Sequence, residues 1–144
     1  IKEYIENKYS SILGRETIGV HVRRGDYLKL LDTHPVCEKD YYDSALNMFK
    51  DASQCDIIFF SDDIEWCKAE FGTDAQYIEG EPDYIDLYLM SMCKHNIIAN
   101  SSFSWWSAWL NTNPRKIVVA PKKWFGPAVS HNTKDLIPDG WIKK

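Results

Sequence analysis

The sequence has no excess of positive charge, no apolar run as long as a membrane span and no closely spaced cysteine pair. Lysine and arginine total 17 against 21 aspartates and glutamates, giving a net charge of -4. General nucleic-acid binding is therefore excluded, because it requires a strongly basic face. No transmembrane segment is expected in this chain. The four cysteines form no Cys-x-x-Cys pair, which argues against a zinc site or a disulfide framework and favours reduced thiols in a cytoplasmic setting.

The 144 residues suffice for one domain with one main core. Apolar runs typical of strands alternate with segments of helical periodicity, which predicts βαβ units and a parallel sheet. The expected fold class is α/β, a Rossmann-like parallel sheet flanked by helices. The predicted helices are 1–13, 39–50, 64–71, 82–94 and 105–110, and the predicted strands are 18–22, 56–60, 76–78, 96–99 and 116–120.

The remaining patterns concern the core and the two ends of the chain. The aromatic content of 14% predicts a heavily packed core or a surface on which rings stack. The tail after residue 121 is expected to hold at most short helices. Because the chain opens inside a helical pattern, we interpret it as a domain excised from a longer protein. The apolar side chains expected in the core include Leu87, Met90, Met92, Ile97, Ile98, Trp105, Trp106 and Trp109.

Charged residues end the first predicted strand abruptly. The strand runs from Ile18 to Val22 and is followed directly by Arg23, Arg24, Gly25 and Asp26. Ligands bind at the carboxyl ends of strands in open α/β sheets, and paired guanidiniums there suit phosphate oxygens. The alternative is ordinary solvated surface charge.

Small hydroxyl side chains follow the fourth predicted strand, where the next helix begins. Ser101, Ser102 and Ser104 would place hydroxyl and backbone N–H donors opposite the arginines, which predicts a phosphate cradle at a helix N-terminus. The alternative for these serines is simple N-capping, which needs only one of them. Ser61 or Asp62 is likewise the expected N-cap of the helix after the second strand.

Two further side chains are expected at the same edge of the sheet. Asp86 falls in the first turn of its helix, where a carboxylate can accept the paired N–H groups of guanine or can simply favour the helix dipole. His21 either packs as a structural histidine or contacts the nucleotide. The pair Asp62-Asp63 lacks the Asp-x-Asp spacing of metal-dependent sugar-nucleotide transferases, so no metal is indicated.

Four blocks together resemble the α-1,2-fucosyltransferases of glycosyltransferase family 11. They are His21 to Tyr27 (HVRRGDY), Phe60 to Cys67 (FSDDIEWC), Asp86 to Trp106 (beginning DLYLMS and ending ANSSFSWW) and Ala120 to Phe125 (APKKWF). The matches run in order from about residue 18 to residue 141, and the long third block is the most specific.

The resemblance implies inverting, metal-independent transfer of L-fucose from GDP-β-L-fucose to the 2-hydroxyl of a galactose-containing glycan, with no cofactor besides the donor substrate. It implies that Arg23 contacts the β-phosphate of the donor and that Arg24 supports this contact. By analogy with related fucosyltransferases, it implies that Asp86 binds the guanine and that the hydroxyls of Ser101 and Ser102 lie beside the phosphates. His21 would lie near the nucleotide.

The resemblance leaves the general base open between Asp26, Asp32 and a residue of a missing lobe. Family members are about twice this long. Residues 1–144 are therefore expected to form the GDP-fucose-binding half of a GT-B-like, two-lobed enzyme, whose N-terminal lobe helps to hold the acceptor. On this interpretation the domain alone can bind the donor weakly and transfer nothing.

Two other functions are alternatives to donor binding by a fucosyltransferase. A non-catalytic Rossmann-like module for a nucleotide or phosphosugar predicts binding without transfer even in the complete chain. A receiver-like signalling domain fits poorly, because its acidic pair would have to follow a different strand. The expected location is the bacterial cytoplasm, peripheral to the inner membrane, or the Golgi lumen for a eukaryotic source. A glycan on the sequon at Asn100 would block the expected phosphate site, which favours the bacterial setting.

Overall fold

The structure, a computed structural model, describes residues 1–49 and 54–144. The strands are β1 (Thr17–Val22), β2 (Asp56–Ser61), β3 (Gln76–Tyr77), β4 (His95–Ile97), β5 (Val118–Ala120) and β6 (Ile142–Lys143). The helices are α1 (Lys2–Lys8), α2 (Ser10–Leu13), α3 (Lys39–Leu46), α4 (Ile64–Phe71), α5 (Asp83–Ser91) and α6 (Ser102–Leu110), and a 3₁₀ turn covers Asp26–Lys29.

The strands form a parallel sheet in the order β3-β2-β1-β4-β5-β6. β1 lies inside the sheet, with Thr17 beside Asp56 of β2 and Ile18 beside His95 of β4. The chain proceeds outward from β1 to β3 on one side and from β4 to β6 on the other. The boundary between β1 and β4 is therefore the point at which the order reverses, where a crevice forms outside the carboxyl ends of the strands. The predicted α/β, Rossmann-like parallel sheet is confirmed.

Helices cover both faces of the sheet, because alternate residues of each strand point to opposite faces. Ile58 and Phe60 of β2 pack with residues of α1, α5 and α6, whereas Phe59 between them packs with residues of α3 and α4. Val20 and Val22 of β1 join the second group and are fully buried. The face that carries α5 and α6 is thus the one toward which His21 points.

The element boundaries differ from the predicted ones at several ends. The first predicted helix divides at Tyr9, which leaves the helical conformation while its ring becomes buried. α4 matches its predicted range, but its N-cap is Asp63, so the expectation of Ser61 or Asp62 was wrong. Asp63 Oδ1 accepts from the backbone N–H of Trp66, and Ser61 Oγ accepts from that of Asp63. The predicted helix end at residue 50 lies outside the described residues.

The tail and α6 correct two further expectations. The tail contains β6, a short strand on which Ile142 lies beside Val119 of β5. Met90, Ile97 and Ile98 are buried as predicted, but Trp106 and Trp109 are 50% and 52% exposed. The residues of α6 that are fully buried are small, namely Ser104, Ser107 and Ala108, so the helix lies close to the sheet and its tryptophans are displaced outward. None of the helices in the described part of the chain is long and apolar enough to cross a membrane.

Candidate functional site

A cleft of about 200 Å³ opens at the carboxyl edge of the sheet, beside the boundary between β1 and β4. Its lining residues are His21, Arg23, Phe60, Ser61, Asp62, Glu81, Asp83, Asp86 and Phe103. Among the predicted site residues, the cleft brings together His21, Arg23 and Asp86. At the β1 end the cationic Arg23 lies beside the Asp62 carboxylate, whereas the α5 end has three carboxylates, Glu81, Asp83 and Asp86, so the α5 end is the more negative of the two.

Arg23 carries the positive charge of the cleft and is held by two carboxylates. Its Nη2 lies 2.9 Å and its Nε 3.2 Å from Asp26 Oδ1, and Nε also lies 3.4 Å from Asp62 Oδ2. About a third of the Arg23 side chain is exposed, as is more than half of that of Asp26. Ion pairs this exposed are weak, so Arg23 can exchange a carboxylate for an anionic ligand at little cost.

Arg24 points to the opposite face of the sheet, as alternation along an extended chain requires. Its guanidinium carbon lies 4.1 Å from the centre of the Trp66 ring on α4, and its Nε lies 3.6 Å from Asp63 Oδ2. Only 14% of the side chain is exposed. The role expected for Arg24 in phosphate binding remains a prediction, and this placement suits support of the loop better than direct contact.

Asp62 joins the loops that follow β1 and β2. Its Oδ1 accepts a 2.9 Å hydrogen bond from the backbone N–H of Arg24, while its Oδ2 faces Arg23. A Cβ at Gly25 would lie 2.5 Å from Asp62 Oδ2. A larger side chain at position 25 would therefore displace the Asp62 carboxylate from its contacts with Arg23 and Arg24.

His21 lies at the bottom of the cleft and is 5% exposed. Burial, reinforced by the neighbouring charge of Arg23, lowers the pKa of its imidazole to about 3. The ring packs against Phe103 with centroids 5.0 Å apart. Its Nδ1 has no hydrogen-bond partner among the described residues. At neutral pH the side chain is thus an uncharged imidazole with an unsatisfied nitrogen in the wall of the cleft.

Asp86 contributes a half-buried carboxylate to the acidic end. Burial is the main reason that its pKa rises to about 7, and the charges of Glu81 and Asp83 add to the effect. Its Oδ1 is buried and has no hydrogen-bond partner within residues 1–49 and 54–144. A buried polar atom without a partner is costly, so a ligand that donates N–H groups to it would relieve this cost.

The serines of the predicted phosphate cradle take three different positions at the start of α6. Ser101 is the N-cap residue but makes no capping hydrogen bond through its side chain, and Ser102 is exposed. Ser104 is fully buried, and its Oγ lies 3.4 Å from the carbonyl oxygens of Ala99 and Ser101. None of the three lines the cleft described above. Their roles as ligands of a phosphate remain predictions.

Family comparison decides the class of protein to which this site belongs. Residues 4–143 match the model of glycosyl transferase family 11. The chain belongs to glycosyltransferase family 11. The expectation drawn from the sequence motifs is therefore confirmed at the level of the family.

Relatives within family 11 have names that specify different sugars. The chain is 44% identical over 135 residues to an O-antigen biosynthesis glycosyltransferase, WbnK, of Escherichia coli, covering 88% of this chain and 44% of that protein. It is 39% identical over 137 residues to an alpha-1,2-colitosyltransferase of the same species, covering 88% and 47%. A galactoside alpha-(1,2)-fucosyltransferase 1 of Bos taurus is 31% identical over 104 residues, covering 65% and 29%. The chain thus spans less than half the length of each of these relatives.

A solved structure supports the fold of this family 11 chain. The fucosyltransferase NodZ from Bradyrhizobium superposes with a TM-score of 0.54 over 82% of this chain and 43% of that protein, at 20% sequence identity. At this identity the likeness concerns the fold, which is the parallel sheet with helices on both faces.

Sequence reasoning missed several residues that line the cleft of this family 11 chain. Phe103 lies between Ser102 and Ser104, and the predicted helix began only at residue 105. Because α6 begins at Ser102, Phe103 falls in its first turn, near the ligand edge. Glu81 precedes α5 and had no signal in the local pattern. Among residues 1–49 and 54–144, no three His, Cys, Asp or Glu side chains are grouped so that they could hold a metal ion.

The candidates for the general base lie outside the cleft. Asp26 is exposed and serves as the main partner of Arg23. Asp32 is also exposed, and its backbone carbonyl accepts a hydrogen bond from the N–H of Ala128. Catalytic roles for Asp26 and Asp32 remain predictions.

Proposed function

We propose that this chain binds GDP-β-L-fucose in the cleft and forms the donor site of an inverting glycosyltransferase that transfers L-fucose to the 2-hydroxyl of a galactose-containing glycan. One observation carries the proposal: in a family 11 chain, the same cleft at the order reversal holds the Arg23 guanidinium at one end and, at the other, the Asp86 carboxylate, whose Oδ1 has no hydrogen-bond partner among the described residues. The chain's short length relative to its relatives supports assigning the acceptor to a second lobe.

The charges of the cleft favour one orientation of a nucleotide. Arg23 suits the β-phosphate, because a guanidinium matches phosphate oxygens in charge and geometry. The carboxylates at the other end repel phosphates. The Asp86 carboxylate, with its two oxygens, suits N1–H and N2–H of guanine, which adenine does not present in that arrangement. His21 lines the same cleft, and its Nδ1, which has no hydrogen-bond partner among the described residues, can accept a hydrogen bond from a ribose hydroxyl when the ring proton is on Nε2.

In the proposed reaction the acceptor 2-hydroxyl attacks the anomeric carbon of fucose from the face opposite GDP. The C–O bond to the β-phosphate breaks as the new glycosidic bond forms, the hydroxyl proton passes to a general base, and negative charge grows on GDP. Arg23 stabilises this charge without a metal ion. A preorganised donor of this kind contributes about 10²-fold or more to the rate.

The sugar and the setting of the reaction are also part of the proposal. The relatives' names include both fucose and colitose transfer, so the sugar on the donor needs a direct test. We place the enzyme in the bacterial cytoplasm, peripheral to the inner membrane. In support, the sequon residue Asn100 is 2% exposed, and its side-chain amide donates to the carbonyls of Pro35 and Trp124, which leaves no room for a glycan.

Calorimetric titration of the 144-residue chain with GDP, GDP-fucose, ADP and UDP tests the donor site. Selective binding of the two guanine nucleotides, unchanged by EDTA, is the expected result. Equal affinity for ADP and GDP would refute the assignment of the acidic end to guanine. Transfer by the complete enzyme, with GDP-fucose and GDP-colitose as competing donors, then separates an enzyme from a module that only binds nucleotides.

A further inference from the structure

Glu81 is a carboxylate of the cleft wall that helix α1 holds from outside the cleft. Its Oε1 accepts hydrogen bonds from Lys8 Nζ at 2.5 Å, Tyr9 Oη at 2.6 Å and Tyr4 Oη at 3.0 Å. Only 4% of the Glu81 side chain is exposed. Two donors on α1, Tyr4 and Lys8, and a third on Tyr9, the residue that ends this helix, therefore converge on one carboxylate far along the sequence. They fix that carboxylate at the acidic end of the cleft.

The partners of Glu81 keep it ionised. Its hydrogen bond with Lys8 is the main reason that the pKa of Glu81 falls below its usual value, and Tyr9 adds to the effect. The same contact raises the pKa of Lys8. Burial together with Glu81 raises the pKa of the Tyr9 phenol to about 12, so Tyr9 remains a donor throughout the physiological range. Glu81 is thus a permanent negative charge beside Asp86.

The groups that face Asp86 come from each element around the cleft. Glu81 and Asp83 lie at the start of its own helix, and both oppose its ionisation. Burial lowers the pKa of His21, so the imidazole is neutral at pH 6–8, and Phe103 is apolar. The charged groups from the other elements are Arg23 after β1, Asp62 after β2 and Lys8 on α1; the phenols of Tyr4 on α1 and of Tyr9 just after it are titratable but neutral.

We propose that Glu81, held by α1, is a positioning residue that controls whether the Asp86 carboxylate is free to accept the N–H groups of a guanine base. The inference rests on the donor site proposed above and extends it to the N-terminal helix. Glu81 needs no contact with the nucleotide for this role. It acts through its fixed charge, which shifts the proton equilibrium of Asp86 toward the neutral acid. A neutral Asp86 cannot accept both guanine N–H groups, so binding of GDP requires the loss of that proton.

Glu81→Gln tests this role, because glutamine keeps an oxygen that can accept from α1 but removes the charge. The Asp86 carboxyl carbon is followed by NMR against pH without nucleotide. We expect its midpoint to fall by roughly one pH unit, the size of a neighbouring-charge effect. The affinity of the native chain for GDP should be about tenfold lower at pH 6 than at pH 8, given the Asp86 pKa of about 7. The variant should lose only about twofold.

Glu79→Gln is the matched control. Glu79 lies two residues before Glu81 but pairs with Lys68, 2.9 Å away, and does not line the cleft. Its replacement should leave the Asp86 midpoint unchanged. If Glu81→Gln fails to fold, Lys8→Gln provides a second test with the opposite expected shift. It removes the positive charge that offsets Glu81, so the titration midpoint of Asp86 should rise.

The two readouts separate this inference from the proposed function. An unchanged Asp86 midpoint in folded Glu81→Gln overturns the inference, even if the affinity for GDP falls, because that loss would be structural. A shifted midpoint in a chain that binds no GDP supports the charge coupling and refutes the donor site. A shifted midpoint together with the flattened pH profile of GDP affinity supports both.

Discussion

Replacing Arg23 should lower the affinity for the ligand, whereas replacing Arg24 should lower the stability of the fold. Arg23 lies in the cleft, and its ion pairs with Asp26 and Asp62 are partly exposed, so they contribute about 0–1 kcal/mol to folding. A hydrogen-bonded guanidinium on a phosphate is worth about 1.5–3 kcal/mol. Arg23→Ala should therefore weaken GDP binding by about 10- to 100-fold while the melting temperature changes little.

Arg24 should show the reverse pattern. Its side chain is largely buried between Trp66 and Asp63, and the cation–π contact at 4.1 Å contributes about 1–2 kcal/mol. Arg24→Ala leaves the backbone N–H that binds Asp62 in place, so the cleft should keep most of its affinity for GDP. The melting temperature should fall by about 3–8 °C for a domain of this size.

Calorimetry with GDP and thermal unfolding by circular dichroism measure the two losses on the same samples. Arg15→Ala is the matched control, because Arg15 pairs with Asp56 at 2.8 Å and is 66% exposed, away from the cleft. It should change neither quantity appreciably. If Arg24→Ala weakened GDP binding more than Arg23→Ala did, the assignment of the two arginines to opposite faces of the sheet would be refuted.

Three further predictions follow from individual contacts. Asp86 has a higher pKa in the folded chain than its usual 3.8, so its ionisation costs stability as the pH rises from about 4 through 7. Asp86→Asn should therefore raise the melting temperature at pH 8 and weaken GDP binding. The gain in melting temperature should vanish near pH 4, where Asp86 is protonated in both the folded and the unfolded chain. Gly126→Ala should lower the melting temperature by several degrees, because its Cβ would lie 2.2 Å from the Asp32 carbonyl oxygen, whereas Gly14→Ala meets only an ordinary contact at 3.7 Å and should be tolerated. Phe103→Ala should admit water to His21, and NMR should then show the imidazole pKa rising from about 3 toward its usual value.

The parts of this fold that were predictable are those with a local pattern. The apolar run of β1 and the charges that end it specify a buried strand that opens at the ligand edge. The alternation of strands and helices then places His21, Arg23 and Asp86 along one edge of a parallel sheet, and the cleft contains all three. The separation of Arg24 from Arg23 was also available in principle, since alternation along β1 continues past Val22.

The remaining features depend on contacts between distant parts of the chain. Nothing near Glu81 indicates that Tyr4, Lys8 and Tyr9 bind it, because these residues lie more than seventy positions earlier. β6 pairs over only two residues, which is too short for any periodicity to be seen. The exposure of Trp106 followed from small residues on the other side of α6, so hydrophobicity alone was misleading.

The position of β1 inside the sheet has a consequence for how the protein folds during synthesis. Among the strands of this sheet β1 emerges first, but its neighbours β2 and β4 begin only at Asp56 and His95. Both pairings close long loops, and such topologies fold slowly. Until β4 leaves the ribosome, the segment from Thr17 to Val22 exposes an apolar strand with an unpaired side. We therefore expect the chain to need protection, during translation, of the strand that later carries His21 and leads into Arg23, and a chaperone-depleted lysate should lower the yield of soluble protein.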